Sequence, residues 1–131
     1  MCYTFLLSRY CSASRQKKNL VSTATGIIPT VRETLATYGV STGTVVGHTL
    51  GAAIAILDGV YFKVQFGTSV QLQVICYSLP RLGNQAFANW INSNLSGLVT
   101  PINNKEDLTP TVPDISLGFS PALGRDSHRR L

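Results

Sequence analysis

The sequence predicts an α/β fold in which helices flank a parallel sheet. Segments with the spacing of an amphipathic helix alternate along the chain with short apolar segments, which is the rhythm of βαβ units. One apolar segment, "SVQLQVICYSLPRLG", begins as an alternating pattern and becomes continuously apolar, as is typical of a central parallel strand. A chain of 131 residues that is 44% hydrophobic has the size and apolar content for one core. We therefore expect one domain of this class.

The first predicted helix precedes the first predicted strand. Apolar residues that include Val31 and Leu35 recur at helical spacing in this region. Because proline is tolerated in the first turn of a helix but not in its interior, the predicted helix begins at Pro29. It ends at Tyr38, where Gly39 supplies a C-terminal cap. The next segment, "TGTVVGH", is predicted to be a short buried strand.

Two further helices and a last strand follow in order. Apolar residues from Leu50 to Val64 keep helical spacing on one face. The segment "NQAFANWINSNL" is predicted to be a helix that presents Phe87, Trp90 and Ile91 on one face. The segment "LVTPI" is predicted to be a short strand, and "NNKEDLTPTVP" is predicted to be the loop after it.

The net charge of +5 comes from the two ends of the chain. If the basic residues clustered near the two ends and one acidic residue near the C-terminal end are set aside, the sequence retains five basic and five acidic residues. The residues set aside are Arg15, Lys17, Lys18, Arg125, Asp126, Arg129 and Arg130. A nucleic-acid-binding domain needs a basic face with interleaved aromatic residues on its folded part. The neutral body of this chain does not favour that class.

The cysteines and the apolar segments predict neither a metal site nor a membrane span. Cys2, Cys11 and Cys76 lack metal-ligand spacing, and Cys76 lies in an apolar run where it is expected to pack as a small core residue. No segment reaches the roughly 18 to 20 apolar residues of a membrane span. Arg9 interrupts the apolar start of the chain, so a secretory signal peptide is not predicted, and the sequence does not indicate a cellular location.

The pentapeptide "GHTLG" lies between a predicted strand and a predicted helix. In that setting, Gly-x-Ser-x-Gly is the nucleophile elbow of α/β-hydrolases, in which a hydroxyl residue occupies a sharp turn. Thr49 has the serine position here, and Gly47 and Gly51 are the small neighbours that such a turn needs. The N–H of Leu50, at the start of the helix, is the candidate oxyanion donor.

Three successive blocks of the sequence resemble the fungal class 3 lipases, the triacylglycerol lipase family. They are "VVGHTLGAAIAILDGVYF", "YSLPRLGNQAFANWI" and "INNKEDLTPTVP". The second block contains the family's Pro-Arg-x-Gly-Asn turn at Pro80, Arg81, Gly83 and Asn84, and the third places Asp107 at the triad aspartate. The resemblance implies a partial α/β-hydrolase fold over residues 20–119. It leaves residues 1–19 unassigned, and residues 120–131 form a divergent basic tail.

The resemblance also implies a function and roles for individual residues. Family members hydrolyse acylglycerols and other ester lipids without a cofactor or metal. Thr49 is then the nucleophile, the Leu50 amide lies in the oxyanion hole, and Asp107 orients the catalytic histidine.

The sequence departs from the family pattern in two respects that matter for the chemistry: the nucleophile and the histidine. Threonine replaces the nucleophilic serine, and its extra methyl group crowds the tightest point of the turn. No histidine is placed convincingly: His48 is expected to point away from the Thr49 hydroxyl, and His128 lies in the tail, where nothing in the sequence fixes it near the site.

These departures predict a lipase-like hydrolase that is weakly active or inactive. The alternatives are a non-catalytic binding protein with the lipase fold, which uses the remaining groove for lipid or protein, and a truncated gene-model fragment with no folded role. In addition, the family's fold needs about twice this length, and its early strands and its histidine segment have no counterpart in this sequence. We therefore expect exposed sheet edges that favour self-association.

Overall fold

The computed structural model describes residues 14–123, with side chains from residue 24 onward. The helices and strands, in chain order, are α1 (Ser14–Tyr38), β1 (Thr42–His48), α2 (Leu50–Phe66), β2 (Gln71–Tyr77), α3 (Gln85–Asn94) and β3 (Val99–Ile102), followed by 3₁₀ turns at Thr109–Thr111 and Ile115–Leu117. Several predictions fall outside the described residues: those on Cys2, on Cys11, on most of the basic tail and on His128.

The three strands form one parallel sheet in the order β1-β2-β3. Val74 in the central strand pairs with Val45 on one side and Val99 on the other. The predicted α/β class, with a parallel sheet and flanking helices, is confirmed, and β1 covers the same seven residues as the predicted strand. Across residues 14–123, no helix combines the length and the apolar composition that a membrane span requires.

The first helix is longer than predicted. It begins at Ser14, so Pro29 lies in its interior and the predicted start at Pro29 is wrong. An interior proline removes one backbone hydrogen bond and costs about 3 kcal/mol. Ala24 and Ile28 are buried in the core one turn apart, and this burial favours continuation of the helix through the exposed proline. The helix runs without interruption through the predicted boundary between residues 19 and 20.

The first strand is not buried, which corrects a second prediction. Its side chains alternate between exposed and half-buried, and Val46 is 59% exposed. In the central strand, Leu72, Val74 and Cys76 are buried, whereas Gln73 and the other residues on the opposite face are exposed or half-exposed. The helices therefore cover one face of the sheet, and β1 lies at its edge. An apolar run identifies a strand but does not reveal whether both of its faces are covered.

The core lies between the covered face of the sheet and helices α2 and α3. Its largest fully buried side chains come from both helices, from β2 and from the segment after α3: Ile56, Val60, Val74, Cys76, Ile91 and Leu95. Each large apolar side chain buried in this way contributes roughly 1.5–3 kcal/mol. Cys76 is fully buried among these side chains, as expected for a core residue, and this burial raises the pKa of its thiol to about 11. The predicted face of α3 is also observed, with Phe87 and Ile91 buried and Trp90 half-buried.

Two local features fix how the helices meet the sheet. Asn84 caps α3, where its side chain accepts a hydrogen bond from the Phe87 N–H at 3.0 Å. Gly59 lets α2 approach the central strand closely, because a Cβ atom at this position would lie only 2.7 Å from Cγ2 of Val74. The position of α2 on β2 therefore depends on the absence of a side chain at Gly59.

The close approach at Gly59 predicts that Gly59→Ala destabilises the fold. Overpacking costs about 1–3 kcal/mol, whereas alanine gains up to about 1 kcal/mol of helix propensity over glycine. We expect a net loss of about 1 kcal/mol in the free energy of unfolding, measured by urea denaturation. Gly26→Ala in α1 is the matched control, because a Cβ atom there has no neighbour within 4 Å in the part of the chain that the structure describes. The control should be neutral or stabilising, and equal effects of the two substitutions would contradict the packing argument.

Candidate active site

The carboxyl ends of the three strands meet along one edge of the sheet, and the candidate site residues lie there. Thr49 follows β1 and donates its N–H to the Tyr77 carbonyl at 3.0 Å. Ser78 follows β2 and donates its N–H to the Ile102 carbonyl at 3.0 Å. Asn103 follows β3, and its side-chain oxygen accepts from the Leu79 N–H at 3.2 Å. These bonds join the three strand ends into one rim, where ligands of parallel α/β sheets bind.

Thr49 forms a sharp turn between β1 and α2. Its φ of 54° and ψ of −116° lie outside the usual regions for a β-branched residue. Backbone strain of this kind costs on the order of 1–3 kcal/mol and persists only where the surroundings enforce it. The Thr49 carbonyl accepts from the N–H groups of Ala52 and Ala53 at 3.0 and 3.2 Å, so α2 begins directly after the turn. The chain thus changes from strand to helix at one hydroxyl residue.

The two glycines around Thr49 differ in what the turn requires of them. A Cβ atom at Gly47 would overlap the backbone of Gly51 and Ala52, so the turn can close only over a glycine. A Cβ atom at Gly51 would have no neighbour within 4 Å in the described part of the chain. The packing of residues 24–123 therefore supplies a steric reason for glycine at Gly47 but none at Gly51.

Leu50 is the first residue of α2, immediately after the turn. The first N–H groups of a helix have no intrahelical acceptor, and they lie at the positive end of the helix dipole. The Leu50 amide is therefore available to a negatively charged oxygen that develops beside Thr49. The Leu50 side chain is 66% exposed, so its role here is confined to the backbone.

The histidine before the turn contacts the Thr49 hydroxyl. Nδ1 of His48 lies 3.0 Å from Oγ1 of Thr49, so the prediction that His48 points away from this hydroxyl is wrong. Adjacent side chains point to opposite faces only while a strand continues. Here the chain reverses at Thr49, which places both side chains on the same side of the turn.

Asp107 lies in the loop after β3 and reaches the same rim. Its Oδ1 accepts from the Thr109 N–H at 2.9 Å, and its Oδ2 is buried without a hydrogen-bond partner among the described residues. The hydroxyl of Ser78, the Thr109 N–H and hydroxyl, and the charge of His48 together lower the pKa of the Asp107 carboxyl. The carboxylate is therefore ionised at neutral pH.

Ser78 is a site residue that the sequence reasoning missed. It has a φ of 55° directly after the central strand, and its hydroxyl is the largest cause of the lowered pKa of Asp107. A serine after a strand carries no motif of its own. Its position at the carboxyl end of the central parallel strand was the only available signal.

Arg81 belongs to the Pro-Arg-x-Gly-Asn block, and the structure shows what it holds. Its guanidinium donates to the carbonyls of Thr111 and, at 2.8 Å, of Pro113. Its backbone N–H donates to the Val112 carbonyl at 2.9 Å. Arg81 is buried, and these bonds attach the end of the loop that contains Asp107 to the segment after β2. The arginine therefore acts on the loop backbone, away from the reacting hydroxyl.

The arrangement has the parts of an acyl-transfer site. A hydroxyl is paired with a ring nitrogen that can accept its proton, a helix amide lies next to it, and an ionised carboxylate lies on the same rim. Within residues 24–123, no group of three or more His, Cys, Asp or Glu side chains is arranged to hold a metal ion.

Solved lipase structures share this fold. Lip2 lipase from Yarrowia lipolytica superposes with a TM-score of 0.72 and 26% identity, covering 86% of this chain and 41% of that one. Lipase II from Rhizopus niveus superposes with a TM-score of 0.63 and 29% identity, covering 77% of this chain and 40% of that one.

The sequence is also similar to curated fungal lipases. A secreted mono- and diacylglycerol lipase of Malassezia globosa is 34% identical over 76 residues, which is 58% of this chain and 25% of that protein. A secreted mono- and diacylglycerol lipase of Gibberella zeae is 37% identical over 70 residues, which is 53% of this chain and 22% of that protein. The aligned region thus spans about a quarter of the length of these relatives.

The sequence pattern of one protein family matches almost the whole chain. The family is described as lipase (class 3), and the match extends over residues 3–117. This range contains the elbow at Thr49, the Arg81 block and Asp107. The chain therefore belongs to the class 3 lipase family of the α/β-hydrolase fold.

Proposed function

We propose that this chain hydrolyses acylglycerol esters with Thr49 as the nucleophile. Membership of the class 3 lipase family supports lipid ester hydrolysis, and the relatives named above are mono- and diacylglycerol lipases. The observation that carries the proposal is the strained turn at Thr49, which presents a hydroxyl at the start of α2 beside a ring nitrogen. Backbone strain of this kind persists only where the surrounding structure enforces it, and it is found mainly at functional sites.

In the proposed reaction, Thr49 Oγ1 attacks the ester carbonyl and forms an acyl-enzyme, which water then hydrolyses. The Leu50 N–H donates to the oxygen that becomes negatively charged, and the helix dipole adds to this stabilisation. The Asp107 carboxylate orients the histidine that accepts the hydroxyl proton of Thr49, and it stabilises the positive charge that this histidine then carries. No cofactor takes part in this proposal.

The threonine methyl group predicts a low rate. A β-branched side chain has few χ1 rotamers, and this one must orient its hydroxyl from a strained backbone. The methyl group also occupies space beside the attacking oxygen. We infer that the rate falls well below that of a serine at the same position, which agrees with the sequence-based expectation of a weakly active or inactive hydrolase.

Substitution of the nucleophile tests the proposal. We expect Thr49→Ser to raise kcat by about 10-fold or more, since relief of 1–3 kcal/mol of misorientation corresponds to roughly 5- to 150-fold in rate. We expect Thr49→Ala to remove the activity, because no hydroxyl remains. Hydrolysis of a short-chain nitrophenyl ester and of a short-chain acylglycerol measures both effects. Parent activity equal to that of Thr49→Ala would refute nucleophilic catalysis here and would favour the alternative of a non-catalytic lipase-fold binding protein.

Asp107→Asn tests the orienting acid. Because the pKa of Asp107 is lowered from 3.8, its carboxylate is ionised throughout the neutral range and its charge is lost only at strongly acidic pH. In the Thr49→Ser background we expect Asp107→Asn to lower kcat by about 10²- to 10⁴-fold at pH 7, as the loss of an orienting carboxylate does in related chemistry.

The control for this experiment is Asp114→Asn. Asp114 lies further along the same region, its Oδ1 accepts from the Ser116 N–H at 2.8 Å, and its pKa is also lowered. Its removal should leave kcat unchanged. A lowered native pKa stabilises the fold above the unfolded pKa, and this contribution is lost as pH falls through the native value. The stability difference between the parent and either variant should therefore diminish below about pH 4. Equal kcat losses in the two variants would contradict the role of Asp107.

We also propose that the described domain self-associates through the open side of its sheet. Among the described residues, β1 pairs with a strand on one side only, and Val46 and Tyr77 expose apolar side chains at 59% and 40% on the uncovered face. Exposed strand edges and apolar patches of this kind favour pairing between chains.

Val46→Lys is expected to reduce this association, because a charge on an edge strand opposes pairing. Sedimentation velocity over a range of concentrations measures the change. Tyr38→Lys is the matched control, since Tyr38 is 75% exposed at the end of α1, away from the open face. A parent protein that stays monomeric at every concentration, or an equal response to both substitutions, would contradict the proposal.

A further inference from the structure

We propose that Arg81 is a positioning residue for Asp107: by holding the end of the loop after β3, it fixes where the Asp107 carboxylate lies at the rim. This role rests on the proposed function, in which Asp107 orients the histidine that takes the proton of the nucleophile. It makes catalysis depend on a residue whose hydrogen bonds go to the loop backbone rather than to the carboxylate.

Arg81 holds three consecutive carbonyl groups at the end of the loop. Its Nη1 donates to the carbonyls of Thr111 and, at 2.8 Å, of Pro113. Its backbone N–H donates to the Val112 carbonyl between them at 2.9 Å. Hydrogen bonds from a charged donor are stronger than those between neutral groups, and they gain further strength where the donor is buried, as Arg81 is. The loop end is therefore fixed relative to the segment after β2.

A short path of hydrogen bonds connects this anchor to the carboxylate. Thr111 is the last residue of the first 3₁₀ turn, and it donates its N–H and its hydroxyl to the Leu108 carbonyl at 2.9 and 2.6 Å. Thr109 begins that turn, and its N–H donates to Oδ1 of Asp107 at 2.9 Å. The residues from Asp107 to Thr111 thus form one compact unit, and a displacement of Thr111 moves the donor that the carboxylate binds.

The segment after β2 also holds the other end of the loop. The Ser78 N–H donates to the Ile102 carbonyl at 3.0 Å, and the Leu79 N–H donates to the side-chain oxygen of Asn103 at 3.2 Å. Both ends of the loop are therefore attached to residues 78–81. This short segment sets the position of the carboxylate relative to the carboxyl end of the central strand, and Arg81 provides the anchor at its far end.

The pKa of Asp107 reports this position. The main causes that lower it are hydrogen bonds from the Ser78 hydroxyl and from the N–H and hydroxyl of Thr109. The charge of Arg81 is not one of the causes, although it is among those that lower the pKa of Asp114. A change in the Asp107 pKa on removal of Arg81 is therefore expected only if the loop moves.

Arg81→Met in the full-length chain removes the donors that hold the loop. We expect the pKa of Asp107 to rise toward 3.8, because Ser78 and Thr109 then lose their fixed distances from the carboxylate. Carbon-13 NMR of the aspartate carboxyl groups measures this pKa, and Asp107→Asn assigns the signal. Asp58 in α2 is the internal control: its pKa is raised by burial, so it should stay the same while the fold is intact.

A double-mutant cycle in the Thr49→Ser background tests whether Arg81 acts through Asp107. We expect Arg81→Met to lower kcat by about 10- to 10²-fold with little change in KM, since displacement of a catalytic group by about 1 Å costs up to about 10²-fold. Where Asp107→Asn is already present, the same substitution should change kcat by less than about 2-fold, because no carboxylate remains to be positioned. Hydrolysis of the short-chain nitrophenyl ester measures the four variants.

Arg32→Met is the matched control. The guanidinium carbon of Arg32 lies 5.1 Å from the centre of the Phe66 ring, and Phe66 is the last residue of α2, whose first residue lies at the rim. The control removes the same charge at a distance from the loop, so kcat and the Asp107 pKa should stay as in the parent. If Arg81→Met does not fold, Arg81→Lys replaces it, because it keeps the charge but its Nζ lies one bond nearer the backbone than Nη1.

An unchanged Asp107 pKa in the Arg81 variant would overturn the inference. An unchanged kcat in the Thr49→Ser background would also overturn it, as would equal kcat losses with and without the Asp107 carboxylate, which indicate a general structural defect. The proposed function fails separately, if Thr49→Ala hydrolyses the ester as fast as the parent. The titration of Asp107 needs no activity, so it still decides in that case whether Arg81 holds the carboxylate in place.

Discussion

The close approach of Gly47 to the first turn of α2 is the constraint on which the site depends. Because Gly47 has no side chain, the backbone of Gly51 and Ala52 can lie directly against it, and the strand can turn into the helix at Thr49. That turn forces the threonine to a positive φ, directs the start of α2 toward the hydroxyl and brings His48 to the same side. The position of the Thr49 hydroxyl, the start of α2 and the contact with His48 thus depend on one backbone contact that leaves no room for a Cβ atom.

The strain at Thr49 persists because the elements on both sides of the turn are anchored in the core. Helix α2 is fixed on the central strand by the contact of Gly59 with Val74 and by buried residues such as Ile56 and Val60. The cost of the turn, on the order of 1–3 kcal/mol, is comparable to the burial of one such side chain. The packing that defines the α/β fold is therefore also what maintains the geometry of the site.

The sequence predicted the elements well because their signals are local. The exact limits of β1, the central position of β2 and the buried face of α3 follow from side-chain periodicity and from turn residues such as Asn84. The start of α1 and the exposure of β1 were mispredicted because both depend on tertiary contacts. Burial of Ala24 and Ile28 extends the helix beyond a proline, and the number of covered faces cannot be read from a strand's own residues.

The site shows the same division between local and tertiary information. The spacing of "GHTLG" identified the turn, but the orientation of His48 depends on the backbone angles at Thr49, which a rule based on alternating strand residues does not describe. In a continuing strand the two side chains would lie on opposite faces, and only a reversal at the second residue brings them into hydrogen-bond contact. The turn that presents the hydroxyl therefore also brings the ring of His48 within hydrogen-bond distance of it. A change that relaxes the turn at Thr49 would therefore also separate its hydroxyl from the ring of His48.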